Sequence, residues 1–299
     1  MMNSNSIIAN LNKFAQEELK KQERKNKLLL PVQELLQDLR PPEWIIKDYI
    51  PKSSLVEVFG ESGTFKSFIV MDMAFCVANG IQWHGFDVKQ GNVIYFAGEG
   101  FYGLKWRVLA LQKYYQMEAK NFYVSKQPLV LIDKESVQNA AKEMEEIGDI
   151  SMVIFDTLHR NVGPANEDTA KEWGEILHNL DYYIKPLCDV ILYVHHTGHK
   201  DKERSRGTSA RYASLDVDYL VEREKDEMIV TMTCKKMKDA KEPEPLSFRM
   251  EVVDTGYIDE ETMQPITSLV PVRIEGAAKQ KRKKRSSQKI KSFLCGLCA

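Results

Sequence analysis

Gly60-Glu61-Ser62-Gly63-Thr64-Phe65-Lys66-Ser67 is the most informative segment of the sequence. It follows an apolar run, Leu55 to Phe59, that is typical of a β-strand, and it opens a segment with helical periodicity, Lys66 to Ala78. A glycine-rich string that ends in lysine and serine, between a strand and a helix, indicates a phosphate-binding loop. The backbone N–H groups of such a loop and the positive end of the helix dipole hold phosphate oxygens.

All eight residues of this loop, Gly60 to Ser67, are therefore candidate nucleotide contacts. Lys66 would reach the β- and γ-phosphates, and Ser67 would place its hydroxyl on Mg²⁺. The consensus has glycine where Phe65 stands, so the literal pattern fails at one position. We expect Phe65 to be tolerated through a negative φ that turns its side chain away from the phosphates. An ordinary strand-turn-helix is the alternative, so other segments have to support the site.

A second apolar run, Ser151 to Phe155, ends in the carboxylate of Asp156. A carboxylate at that position is what a Walker B strand supplies to orient Mg²⁺. Asp156 could instead cap a helix, and alone it is a weak signal. The carboxyl ends of parallel strands meet at one edge of an open α/β sheet, so we expect Asp156 and Lys66 to lie at the same edge.

Two further strand ends carry polar groups. Asn92 to Ala97 leads into Gly98-Glu99-Gly100, where Glu99 could accept the proton of an attacking water, or could instead cap the next helix. Asp189 to Val194 leads into His195 and His196. A histidine there can donate to a γ-phosphate and change partner when that phosphate leaves. We assign this sensing role to His196 and a structural role more readily to His195.

The order of the elements predicts an α/β fold. Short β-rich runs alternate with helical segments, which indicates βα units and a mainly parallel sheet. Antiparallel strands then extend the sheet at its C-terminal edge, over Val217 to Glu222, Met228 to Lys235 and Leu246 to Val253. The predicted helices are Lys66 to Ala78, Phe101 to Gln116, Lys134 to Ile147 and Thr169 to Ile184.

Three segments are predicted along the chain. Residues 1–40 read as a mobile arm or docking helix, which Arg40-Pro41-Pro42 brings to an end. Residues 41–275 form the α/β domain. Residues 276–299 carry a dense run of lysine and arginine that is expected to be disordered, and that serves either as a solubilising tail or as a nucleic-acid contact.

Charge, cysteine content and apolar runs bear on the partners and the compartment expected for the protein. The formal net charge is -1, which excludes neither a nucleic acid nor an acidic partner, because binding depends on where charges cluster. Cys76, Cys188 and Cys234 are scattered, as expected for reduced thiols in the cytoplasm. Cys295 and Cys298 form a lone C-x-x-C without a second ligand pair for zinc. No run is long and apolar enough for a membrane span, so we expect a soluble protein.

Taken together, these elements resemble the RepA-like hexameric replicative helicases of plasmids and phages, within the RecA/DnaB-type ATPases. The resemblance covers about residues 41 to 255, and its most specific parts are Gly98-Glu99-Gly100, Val194 to Gly198 and Ser205 to Ser209. It implies a RecA-like P-loop fold that binds ATP and Mg²⁺. It also implies Glu99 as the catalytic base, His196 as the γ-phosphate sensor, a hexameric ring, single-stranded DNA in the channel and other replication proteins as partners.

In that family a basic finger from a neighbouring subunit completes the ATP site. The resemblance implies Arg211 or the segment Lys235 to Lys238, with Lys236 and Lys238 as its candidates. The loop from Gly198 to Gly207 is basic and bracketed by glycines, so it could contact phosphates without reading bases. Its candidate DNA contacts are Lys200, Lys202, Arg204 and Arg206.

Two rival functions share this P-loop. One is an ATP-gated DNA-binding or recombination ATPase that unwinds nothing. The other is a small-molecule kinase, which would need a monomeric site and an acceptor-binding lid. The sequence favours an ATP-hydrolysing helicase or motor over both.

Overall fold

The computed structural model describes residues 29, 31–39, 41–98, 100–165, 169–198, 205, 208–224 and 227–275. A boundary between two compact units falls between Pro42 and Glu43. In the first unit, a short helix α1 covers Val32–Leu35 and a 3₁₀ turn covers Leu36–Asp38. The rest of the predicted N-terminal arm and the basic tail after residue 275 lie outside the described residues.

The second unit is built on a nine-stranded sheet and a separate two-stranded sheet. In chain order the strands are β1 Trp44–Ile46, β2 Ile50–Pro51, β3 Ser54–Gly60, β4 Asn92–Ala97, β5 Phe122–Val124, β6 Ile150–Asp156, β7 Cys188–His196, β8 Val217–Arg223, β9 Ile229–Met237, β10 Leu246–Ile258 and β11 Pro265–Ile274. The order in the large sheet is β11-β10-β9-β8-β3-β7-β6-β4-β5, and the small sheet pairs β1 with β2.

The part of the sheet from β8 to β5 is parallel throughout. The remaining strands β9, β10 and β11 continue it in antiparallel pairs beyond β8. This is the predicted arrangement, a mainly parallel α/β sheet extended by antiparallel strands at the C-terminal edge. The predicted fold class is therefore confirmed.

Helices cover both faces of the parallel strands. They are α2 Lys66–Asn79, α3 Phe101–Tyr115, α4 Lys134–Ile147, α5 Leu158–Asn161, α6 Ala170–Asn179 and α7 Ser209–Ser214. Because successive strand residues point to opposite faces, the sheet contributes to two apolar cores. The core on one face includes Val58 and the buried side of α2. The core on the other face includes Phe155, Val137 of α4 and Trp173 of α6.

Local sequence explains where two of these helices begin and end. Helix α2 is buried on almost every side, and it stops at Gly80, whose φ of 68° is a left-handed cap that glycine adopts without strain. Helix α4 is amphipathic, and the carboxylate of Asp133 caps it by accepting hydrogen bonds from the N–H groups of Glu135 and Ser136. Both helices match their predicted ranges to within one residue.

Two predicted elements have clearly different bounds in the structure, and one long strand was not predicted. Helix α6 ends at Asn179 and continues as a π-helical turn over Leu180–Ile184. Strand β10 runs on to Ile258, and β11, which was not predicted, pairs with it. Strand β11 contains Pro265 and Pro271, which an outer strand tolerates because one side of its backbone needs no ladder partner. Among the described residues, no helix has both the length and the apolar character needed to cross a membrane.

Candidate functional site

The carboxyl ends of four parallel strands meet at one edge of the sheet. Gly60 at the end of β3 is in register with His196 at the end of β7. Ala97 at the end of β4 is in register with Asp156 at the end of β6. The N–H of Thr197 also donates to the carbonyl of Gly60 at 3.2 Å. This is the edge at which open α/β sheets bind ligands.

The loop after β3 has a defined internal structure. The Thr64 hydroxyl donates to the carbonyl of Glu61 at 2.9 Å, which closes the turn through Ser62 and Gly63. Gly63 has a φ of 75°, a left-handed conformation that glycine adopts freely. The carbonyl of Phe65 accepts from the N–H of Ile69, the first α-helical hydrogen bond of α2. The loop thus delivers the N-terminus of a buried helix to the sheet edge.

Gly60 is fixed by packing between strands. A Cβ built on Gly60 would lie 2.2 Å from the carbonyl oxygen of Val221 on the neighbouring β8. That distance is far inside van der Waals contact and involves backbone, so the neighbour cannot move aside cheaply. Only glycine fits at the first position of the loop.

The negative φ expected at Phe65 is wrong. Its φ is 61°, in the left-handed region that side chains other than glycine rarely adopt. That conformation costs about 1 kcal/mol or more, because Cβ comes close to the following carbonyl oxygen. The Phe65 ring packs edge-on against Phe68 at 5.9 Å between centroids, and the guanidinium of Arg223 lies 4.7 Å above it. The backbone at this position therefore has the geometry for which glycine is the ordinary residue.

The amino group of Lys66 lies inside the curve of the loop. It donates to the carbonyl of Gly60 at 3.0 Å and to the carbonyl of Glu61 at 2.7 Å. Burial lowers the pKa of Lys66 to about 8, although the nearby carboxylates of Asp156 and Glu61 favour the charged form. A buried ammonium beside loop carbonyls and helix N–H groups is suited to hold an anion.

Ser67 and Asp156 are joined directly. The Ser67 hydroxyl donates to Oδ1 of Asp156 at 3.0 Å, and the hydroxyl of Tyr95 donates to Oδ2. Burial raises the pKa of Asp156, and these two hydrogen bonds, with the charges of Arg107 and Lys66, oppose that rise. A hydroxyl and a carboxylate at this distance are the hard oxygen donors that Mg²⁺ prefers. The residues present therefore fit the implied metal.

Tyr95 and Arg107 were missed by the sequence analysis. Tyr95 lies in the middle of β4 and is completely buried, with a pKa that burial and the charge of Asp156 raise well above its usual value. Arg107 lies on α3 with its guanidinium 4.4 Å above the ring of Phe68. A tyrosine in an otherwise apolar buried strand needs a hydrogen-bond partner, and that was the available signal for Tyr95.

Several predicted site residues lie outside the described residues. They are the proposed base Glu99 and the proposed DNA contacts Lys200, Lys202, Arg204 and Arg206. The chain on either side of Glu99 is described: Gly98 donates its N–H to the carbonyl of Asp156 at 2.6 Å, and α3 begins at Phe101. The loop after β7 is described at Ser205, which bridges to Thr197.

The two histidines at the end of β7 differ in exposure. His195 is 2% exposed, and its Nδ1 lies 2.8 Å from the carbonyl oxygen of His196. His196 is half-buried at the tip of the strand, in register with Gly60. His196 is therefore the histidine that lies nearer to the surface of the site.

The structure argues against Arg211 as a finger toward a neighbouring subunit. Its side chain is buried, and its guanidinium pairs with the carboxylate of Glu57 and donates to the Ser205 hydroxyl at 2.8 Å. Lys236 donates to the carbonyl of Tyr212, and Lys238 is exposed, with its amino group 3.3 Å from Asp216. Of the candidates, Lys236 and Lys238 can reach the surface.

Arg211 belongs to a buried charged cluster beneath the sheet edge. Glu57 on β3 is in register with Tyr193 on β7 and with Asp218 on β8, and all of these side chains are buried. Burial and the neighbouring charge of Glu57 raise the pKa of Asp218 to about 8. Two carboxyl groups thus share the charge of Arg211. A glutamate in the middle of an apolar strand was the sequence signal for this cluster.

A phosphate-type loop on a mainly parallel sheet, with a lysine, a serine and an aspartate at one edge, defines the class of P-loop ATPases. The chain belongs to the AAA domain family, whose profile matches residues 19–202. The match spans the strands from β3 to β7, with Lys66, Ser67, Asp156 and His196, and it begins within the predicted N-terminal arm. Comparison with curated proteins gives no match.

Proposed function

We propose that the protein is a cytoplasmic Mg²⁺-dependent ATPase that assembles into a ring, of six subunits by the resemblance above, and moves along or remodels DNA in plasmid- or phage-type replication. The observation that carries the ATPase part is the hydrogen bond between Ser67 and Asp156, 3.0 Å long, at the edge where Lys66 lies. It joins the loop to the carboxylate strand, so the two halves of the site are held in a fixed relation to each other.

Each residue then has a chemical task. The N–H groups from Gly60 to Ser67 and the Lys66 ammonium hold the β- and γ-phosphates. Ser67 and Asp156 would hold Mg²⁺, and the metal would supply positive charge close to the phosphate oxygens. Glu99 accepts the proton of the attacking water, and His196 senses whether the γ-phosphate is present.

The DNA part of the proposal rests on placement and charge. The chain leaves the tip of β7 beside the phosphate loop and returns at Thr208, the cap of α7. Between these points the sequence carries Lys200, Lys202, Arg204 and Arg206. Charges there could bind a phosphate backbone and transmit its presence to the ATP site. Lys236 and Lys238 are the proposed fingers toward a neighbouring subunit.

The decisive measurement is the ATPase rate with and without single-stranded DNA across a range of salt. We expect DNA to stimulate turnover, and the stimulation to fall as salt rises, because counterions compete for the phosphates. Lys202→Ala with Arg204→Ala should lower the salt slope by about 1 per lost contact. Lys142→Ala on the exposed side of α4 is the matched control and should behave as wild type. Turnover without any response to DNA would contradict the DNA part alone.

Two further assays separate the remaining candidates. Strand displacement on forked DNA tests for a helicase, since an ATP-gated binder would hydrolyse ATP and unwind nothing. Size-exclusion chromatography with ATP tests for the ring. A chain that stays monomeric and phosphorylates a small molecule would be a kinase, which would overturn the proposal.

A further inference from the structure

Arg223 lies beside the phosphate loop although it is far from it in sequence. It is the last residue of β8, which runs parallel to β3 with Leu220 in register with Phe59. Its guanidinium carbon is 4.7 Å from the centroid of the Phe65 ring, within the range of a cation–π interaction. This contact was invisible to sequence analysis, because nothing local pairs the two positions.

The guanidinium of Arg223 is itself held in place. Its Nε donates to the carbonyl of Glu227 at 2.9 Å, and its Nη2 lies 3.7 Å from the sulfur of Met228. The Phe65 ring also packs against the Phe68 ring, at an interplanar angle of 73°. A side chain that is already oriented loses little rotamer freedom when it makes a contact. The ring of Phe65 thus contacts both an oriented cation and a second ring.

The position of the ring matters because Phe65 starts α2. Its carbonyl accepts from the N–H groups of Phe68 at 3.1 Å and Ile69 at 3.2 Å, and no side chain caps the helix. Its φ of 61° sets the direction in which the next N–H groups, those of Lys66 and Ser67, leave the loop. These are N–H groups at the helix start that have no partner within the helix and can bind phosphate. A substitution that lets the backbone of Phe65 leave the left-handed region would turn these N–H groups away from the phosphates.

We propose that Arg223 is a positioning residue of the phosphate loop. By stacking on Phe65 it stabilises the left-handed backbone that a glycine would adopt unaided, and so keeps the loop ready for the phosphates. This inference rests on the proposed function, since it assumes that the loop binds ATP.

Affinity for ADP tests the inference, measured by displacement of a fluorescent ADP analogue in the presence of Mg²⁺. Arg223→Ala should weaken ADP binding by about two- to fivefold, the size of a cation–π contact at an exposed site. Arg223→Met, which covers the ring with an uncharged side chain, should weaken it similarly. A methionine variant that binds as tightly as wild type would show that the cation is unnecessary, and would overturn the proposal.

The decisive comparison uses Phe65→Gly, since glycine takes the left-handed conformation without strain. Phe65→Gly should bind ADP, and adding Arg223→Ala to it should change the affinity no further. An equal loss from Arg223→Ala in both backgrounds would mean that Arg223 acts elsewhere, and loss of ADP binding in Phe65→Gly would mean that the ring is needed for itself. Either result overturns the proposal, and a merely structural role for Arg223 would not vanish with Phe65.

Arg273 offers a matched control. Its guanidinium lies 5.1 Å from the Phe86 ring and donates to the carbonyl of His84, so Arg273→Ala removes the same kind of contact away from the loop. We expect it to leave ADP affinity unchanged. Binding of ADP by the wild type distinguishes failure of the proposed function from failure of this inference. If the wild type does not bind ADP, the proposed function fails, whereas if it binds and Arg223→Ala binds equally well, only this inference fails.

Discussion

Replacing Lys66 with methionine should remove a specific pH dependence of stability. In the folded protein, burial lowers the pKa of Lys66 to about 8 from its ordinary value of 10.5. The unfolded chain therefore binds more protons between these values, so the free energy of unfolding rises with pH across this window. Below it, the charged lysine destabilises the fold relative to an unshifted one by about 3 kcal/mol.

The prediction concerns the difference between two proteins, because other titrating groups then cancel. Relative to Lys66→Met, the wild type should gain about 2 kcal/mol of unfolding free energy between about pH 7 and about pH 9.5. Urea titrations of both proteins at several pH values measure this directly. Saturating ADP brings negative charge to the amino group, so the extra slope of the wild type should shrink.

Ser67→Ala serves as the control, because it alters the same loop and keeps Lys66. Its stability should differ from that of the wild type by a constant amount over this range of pH. If stability changes with pH in the same way for the wild type and Lys66→Met, the Lys66 amino group is not desolvated by burial in the folded protein. Lys66 would then not form a buried anion site in the folded protein.

Other predictions follow from the buried polar contacts. Tyr95→Phe removes one hydrogen bond to Asp156, so the Mg²⁺ concentration for half-maximal turnover should rise by about tenfold. The rise should be larger at low pH, because Asp156 without this hydrogen bond is more easily protonated. An unchanged Mg²⁺ titration would contradict this prediction. Arg211→Met leaves Glu57 buried without its cation, so the free energy of unfolding, measured by urea titration, should fall by about 3 kcal/mol or more. Lys238→Met at the surface should stay within about 0.5 kcal/mol of the wild type. Glu99→Gln should still bind ATP but hydrolyse it far more slowly, and full turnover would remove Glu99 as the base.

The sequence predicted the sheet well because its signals are local. Apolar runs that end in Gly60, Ala97, Asp156 and His196 predict strands, and parallel strands have to end at one edge. That rule alone predicted that Lys66, on the helix after β3, and Asp156 share the edge. It required no knowledge of any contact between side chains. The catalytic roles assigned to these residues remain predictions.

What the sequence could not predict depends on contacts between distant positions. By our proposal, the left-handed φ of Phe65 is stabilised by Arg223, which lies on β8. The burial of Arg211 depends on its ion pair with Glu57 on β3. Strand β11 was missed because prolines and exposed positions obscure its alternation. In each case the local structure depends on residues that are distant in the sequence, so no periodic pattern along the chain indicates it.

The two glycines of the phosphate loop are required for unrelated reasons. At Gly60 the obstacle is the backbone of β8, so any replacement should impair assembly of the sheet whether or not a nucleotide is ever present. Nothing lies within 4 Å of a Cβ built on Gly63, and there only the left-handed backbone is at stake. A library screened for expression should therefore admit asparagine at position 63 while rejecting every substitution at position 60. One motif thus meets two separate structural requirements.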